Sequence, residues 1–254
     1  MSVIAVERIK LLSTRSPWWC MAVAAVLSIG VSALTAGLTS DEAAVSIFDT
    51  QNGVQLSQMV MTVMAALAVT TEYRFGTIRT SFQAVPSRTK LLLGKTAVVA
   101  GLAALVGLIA SFGALGIGML LAPGADLNVS GSEWRLIAGQ GIVYALAAVI
   151  AVAVGALLRQ SAAAVAILIL WPLLVENLVM LIPKVGDDMN RWAPFANASS
   201  FINQGQNLGI SGGGEGAGSG IEYALSPWGA LLYFALFAAV MLGLAVLVTN
   251  KRDA

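Results

Sequence analysis

The side chains that could do chemistry are few and unevenly placed. The 254-residue chain has no histidine and one cysteine, Cys20. Without histidine there is no Ser–His nucleophile, no imidazole zinc ligand and no ordinary general base, so neither catalytic nor metal-binding residues are expected. Cys20 opens an apolar run, can form no intramolecular disulfide and reads as a small hydrophobe. Gly94-Lys95-Thr96 resembles the tail of a phosphate loop, but the first glycine that GxxxxGK[ST] needs falls on Thr89. If ATP is used, another chain must bind it. Basic-aromatic patches of the kind that hold nucleic acid are missing. Two features remain. One is a compact polar stretch, "TEYRFGTIRTSFQAVPSRTKLLLGK" at 71–95, with Glu72, Arg74, Arg79, Arg88, Lys90 and Lys95. The other is Glu176-Asn177, inside an apolar run.

These groups must be positioned by membrane helices. Hydrophobic residues make up 58% of the chain and charged ones 11%, far below the ~25% usual in soluble domains. A bilayer core needs about 20 helical residues to cross. Six such runs are read at 18–38, 56–71, 96–122, 134–158, 161–182 and 227–249, within a single permease-like domain over 1–254. The fourth and fifth are separated only by Arg159-Gln160, which must be a tight turn at the membrane surface. The expected fold is an all-α integral membrane protein.

Basic residues set the orientation. With both termini in the cytoplasm, eleven of the fourteen Lys and Arg residues fall inside, leaving Arg135, Lys184 and Arg191 outside. Asp41, Glu42, Asp49, Asp126, Glu133, Asp187, Asp188, Glu215 and Glu222 then lie outside. The polar stretch 72–95 is therefore expected as a cytoplasmic loop. Residues 1–16 read as an amphipathic helix on the membrane surface and not as a cleavable signal. Val6, Ile9 and Leu12 lie on one side, with Glu7, Lys10, Thr14 and Arg15 opposite, at about 100° per residue. The outer loop 183–226 has Trp192, Phe195 and Phe201 suited to the outer leaflet, then a Gly/Ser-rich "GISGGGEGAGSG" read as linker. Small residues at four-residue spacing in span one (Ala24, Ser28, Ser32, Ala36) suit close helix packing.

Taken alone, the stretch 72–95 fits a docking surface for a soluble partner. It fits equally a loop whose arginines set topology and meet lipid phosphates. Glu72-Tyr73-Arg74-Phe75-Gly76-Thr77-Ile78-Arg79, then Pro86-Ser87-Arg88 and Lys95, resembles the type-2 ATP-binding-cassette permeases, whose second span runs into E-Y/F-x-x-G-T followed by P-S-R and a lysine. The likeness extends to the surface helix, six spans, the short turn between the fourth and fifth, and the large outer element after the fifth. The resemblance implies the membrane subunit of a bacterial exporter in the cytoplasmic membrane, without its own ATPase site. It implies pairing with a second permease copy or a homologue, surrounded by membrane lipids, and driving by cytoplasmic ATPase subunits that hold ATP and Mg. Glu72, Tyr73, Arg74, Phe75, Gly76, Thr77 and Arg79 would be the coupling segment, seated in the ATPase.

The resemblance also implies a substrate pathway lined by spans two and five. Candidates there are Gln58, Met59, Thr62, Trp171, Glu176 and Asn177, beside Gln55, Met61 and Met64. The methionines fit either adaptable contacts to an apolar cargo or ordinary packing. Glu176 fits either a structural bond, with Asn177, Arg135 or outer-loop amides as partner, or contact with cargo. Pro172 should kink span five. An ion-gradient transporter, an intramembrane enzyme and a passive assembly subunit are the competing functions; one intramembrane acid and no histidine give the first two little to work with.

Overall fold

Inside a bilayer the backbone has no water to bond, so an apolar chain satisfies its polar groups within its own helices. The computed structural model describes residues 3–39, 45–84, 87–129, 131, 133–179, 182, 186–203 and 225–252. Among the described residues every regular element is helical, and six helices are long and apolar enough to cross a membrane. The protein is an all-α, multi-pass membrane protein.

Helix α1, Val3–Leu12, precedes span one, α2, Arg15–Leu38. A single turn, α3 (Ile47–Thr50), leads into span two, α4, Asn52–Arg74. The short α5, Thr77–Ala84, precedes span three, α6, Arg88–Leu121, and span four is α7, Glu133–Leu158. Span five joins α8 (Ser161–Leu170), a π turn (Trp171–Val175) and α9 (Glu176–Val179). Outer helices α10 (Gly186–Arg191) and α11 (Pro194–Asn203) come before span six, α12, Pro227–Arg252.

Several boundaries differ from the hydropathy reading. Span two covers 23 residues, not 56–71, and α6 runs for 34 residues from Arg88, not from 96. At 1.5 Å per residue α6 is about 51 Å long, well beyond a ~30 Å core. The expected loop 72–95 is thus mostly helix: the last turn of α4, then α5, then the first turns of α6. Hydropathy ends a span where charge begins, whereas Glu, Arg, Lys and Gln are good helix formers and carry the helix on into water. Pro172 does not simply kink span five. Lacking an N–H, it widens the helix, and the Glu176 N–H donates to the Trp171 carbonyl five residues back. The Gly/Ser-rich run 209–220 lies outside the described residues.

The small-residue stripe of α2 is fully used within the chain. Ala24, Ser28, Ser32 and Ala36 are all buried. Ser28 Oγ donates to the Ala110 carbonyl at 2.8 Å, and Ser32 Oγ to the Ala114 carbonyl at 2.6 Å, locking α2 against α6 in register. Tyr144 of α7 is buried over Gly107 of α6, where an added Cβ would stand 2.7 Å from the ring. Of the aromatics expected at the lipid boundary, Phe201 is instead buried in the bundle, beside Gly139 of α7 and 5.4 Å from Trp228. Trp192 remains exposed.

Helix α1 also departs from expectation. Its apolar residues Ile4, Val6 and Ile9 are exposed, while Glu7 is only 3% exposed. The polar side of α1 faces spans two and three, and the apolar side faces outward.

Candidate functional site

Two regions gather the residues singled out from the sequence, one at each end of span two. At the first, α4 ends at Arg74 because Gly76 takes φ +72°, a left-handed conformation that glycine adopts freely. The Phe75 N–H donates to the Thr71 carbonyl at 2.9 Å and the Gly76 N–H to the Tyr73 carbonyl at 3.3 Å, after which Thr77 opens α5. The corner projects. Phe75 is 72% exposed, and the Arg74 guanidinium sits 5.6 Å from its ring centroid. Tyr73 is half-buried, with the Arg159 guanidinium 5.0 Å above its ring. Arg159 itself takes φ +56°, closing α7 as its N–H donates to the Gly155 carbonyl. Arg79 lies on α5.

Glu72 does not share that surface. Its side chain is buried. It belongs to a four-charge cluster under the corner. Lys95 Nζ donates to Glu72 Oε1 at 2.7 Å and to Glu7 Oε2, while Lys10 Nζ lies 2.5 Å from Glu72 Oε1. Glu7, Glu72 and Lys95 are all at least nine-tenths buried, and two cations face two anions. Charges this deep are retained only when paired. The cluster fastens α1, the end of α4 and the start of α6 to one another beside a cavity of about 360 Å³. Sequence reading had placed Glu7 and Lys10 on a membrane-surface face and Lys95 at the mouth of a span. The available signal was Lys95 abutting a long apolar run, where a lysine drawn inward needs a counter-ion.

At the other end of span two, Gln58, Met59 and Thr62 come together in a smaller cavity of about 70 Å³, walled by α4, α7, the Leu168–Pro172 stretch of span five, and α11. Trp171, Glu176 and Asn177 are not part of its lining. Glu176 instead caps α11: its carboxylate accepts the N–H groups of Phe195 at 3.1 Å and Ala196 at 2.8 Å, and Trp171 Nε1–H at 3.2 Å. These are first-turn amides of α11, which have no partner within their own helix and favour an anion. Outer-loop amides are thus the partners found for this acid. Asn177 is exposed and donates to the Leu173 carbonyl at 2.8 Å. Gln140 and Asn203 are among the cavity residues missed from sequence. Gln140, between two glycines in an otherwise apolar span, was the visible signal for the first.

A family model described as ABC-2 family transporter protein matches residues 3–174, from α1 into span five. The chain belongs to the ABC-2 family. That match contains the projecting corner, the charged cluster and span two entire. As an ABC-2 member the protein is a membrane permease component of an ABC transporter, a family that works with ABC ATPase subunits. No curated protein matches the chain.

Proposed function

We propose that this ABC-2 chain is the membrane half of an ATP-driven exporter in a bacterial cytoplasmic membrane, with both termini in the cytoplasm. Two permease subunits, identical or homologous, form the pathway, and two separate ATPase subunits bind ATP and Mg beneath them. The observation that carries the coupling assignment is the exposed Arg74–Phe75–Gly76–Thr77 corner at the start of α5. An aromatic flanked by arginine and thrust out of a helix end is the kind of anchor that fills a pocket on a partner. Directly behind it, the buried Glu72 links the corner to α1 and α6. Closure of the ATPases on ATP would push the corner, move the inner end of span two, and favour the outward-open state by differential stabilisation.

Gentle purification with the candidate ATPase tests this. Phe75→Ala and Arg74→Ala alter an exposed surface, so folding and insertion should be unchanged. Retention of the ATPase, or ATP-driven transport, should fall at least about tenfold, as for a binding hot spot. Full coupling in the double variant, or labelling of Gly76 from the extracytoplasmic side, would overturn the assignment.

A further inference from the structure

We propose that the cavity between α4, α7, span five and α11 is a binding site for an uncharged, hydrogen-bonding head group carried on an apolar molecule. Gln140 is 6% exposed and Asn203 5%, and both line the cavity. Asn203 Oδ1 is buried with no partner among the described residues, and no hydrogen bond of the Gln140 side chain to any of them is seen where it meets the cavity. Buried amides left unpaired destabilise a fold, and native proteins pair nearly all of them. A buried, unpaired amide oxygen beside a second little-exposed amide on one cavity is a poor structural choice and a good binding one. Gln55 and Gln58, half-buried on the facing side of α4, bring further amides, each with a donor and an acceptor. Gln51, by contrast, is spoken for: it exchanges hydrogen bonds with Ser111 of α6.

The chemistry of the lining selects the ligand. Among the described residues no charged side chain lines the cavity. An ionic head group would enter without a counter-charge, whereas hydroxyls and amides can pair with every amide present. Met59 and Leu168 supply an adaptable apolar wall. A volume of about 70 Å³ admits a head-group fragment, not a whole amphiphile. Calling the occupant cargo rests on the permease reading above; the existence of the site does not.

The site can be tested on the full chain in lipid nanodiscs, without ATPase. Cys20→Ala with Ser199→Cys puts one thiol in the cavity lining. Its alkylation rate is followed against decanoyl-N-methylglucamide, an uncharged amphiphile with an amide and hydroxyls. Decyltrimethylammonium and decyl sulfate serve as charged counterparts. The glucamide should protect the thiol saturably, and the charged amphiphiles should not. Gln140→Leu should raise the half-protecting concentration about tenfold, the loss of one hydrogen bond. It should also raise the melting temperature of the unliganded protein, where a structural glutamine would lower it. Gln140→Glu should reverse the preference towards decyltrimethylammonium. Equal protection by all three amphiphiles, protection unchanged in Gln140→Leu, or a Gln140→Leu chain that fails to fold would each overturn the proposal. Lipid extraction then separates two sources of the same chemistry. An uncharged glycolipid retained by the parent and lost from Gln140→Leu makes the occupant a resident lipid; a protected thiol with no retained glycolipid makes it cargo. Because no ATPase takes part, failure of the exporter assignment would leave this result standing.

Discussion

Replacing Lys95 by methionine removes one charge from the buried cluster and nearly preserves the length of the side chain. The cluster is neutral, with Glu7 and Glu72 facing Lys10 and Lys95. The Lys95–Glu72 contact at 2.7 Å is worth about 6 kcal/mol of gross attraction at an effective dielectric of 20. Desolvation of the ions offsets most of that, which is why the net value depends on what remains. With Lys95 gone, two buried carboxylates share Lys10, whose side chain is 35% exposed and 3.7 Å from Glu7. One buried negative charge is then uncompensated, for an expected loss of about 3–5 kcal/mol. Glu72→Gln alone should lose a comparable amount by stranding a cation. The double variant removes one charge of each sign and leaves Glu7 with Lys10, so its loss should be only about 1–2 kcal/mol. The double-mutant cycle should therefore show a coupling energy of roughly 6 kcal/mol, and no less than about 4. Reversible unfolding of the four proteins in mixed micelles, titrated with dodecyl sulfate, gives these differences directly. Single losses that add to within about 0.5 kcal/mol would refute the reasoning, because independent groups behave that way and paired ions do not.

Two further outcomes are expected. Glu176→Ala strands the Phe195 and Ala196 amides and should lower stability by about 2–4 kcal/mol, with faster hydrogen exchange confined to α11. ATP-driven transport at permissive temperature should stay unchanged; its loss would mean that the acid does more than hold α11. At Arg159, with φ +56°, glycine and alanine both lose the contact to Tyr73, but only glycine also relieves the left-handed backbone. Arg159→Gly should therefore be more stable than Arg159→Ala by about 1 kcal/mol, read in the same titration; equal stabilities would mean that the backbone there carries no strain.

Much of the fold was legible because lipid leaves few options: long apolar runs must be helices, and six of them were countable. The pattern from Glu72 to Lys95 carries the family resemblance on its own. Helix ends were less legible, since a polar residue such as Lys90 or Gln55 ends a hydrophobic run without ending a helix. Least legible were partners distant in sequence. Glu7 and Lys10 read as charges of a membrane-surface helix, Glu72 and Lys95 as part of a cytoplasmic polar stretch, and only tertiary packing makes the four one neutral unit. Glu176 shows the same limit from the other side. Its isolation in an apolar run marked it as important, yet whether it faced cargo or capped a helix depended on where residues 194–203 fold. Gln140 and Asn203 were passed over because a lone amide carries no sign and no motif, although a buried amide also needs a partner.

The inward-facing polar side of α1 has a consequence for how the chain is made. Glu7 meets Lys95, 88 positions later, so α1 cannot take its place until span three has been delivered. At about 5–20 residues per second that interval is roughly 4–18 s. Through it the N-terminal helix has apolar residues that can rest on lipid but charges that cannot enter it, and it must wait at the bilayer surface. Final docking of α1 is therefore a late event in biogenesis, although α1 is made before the spans it docks on.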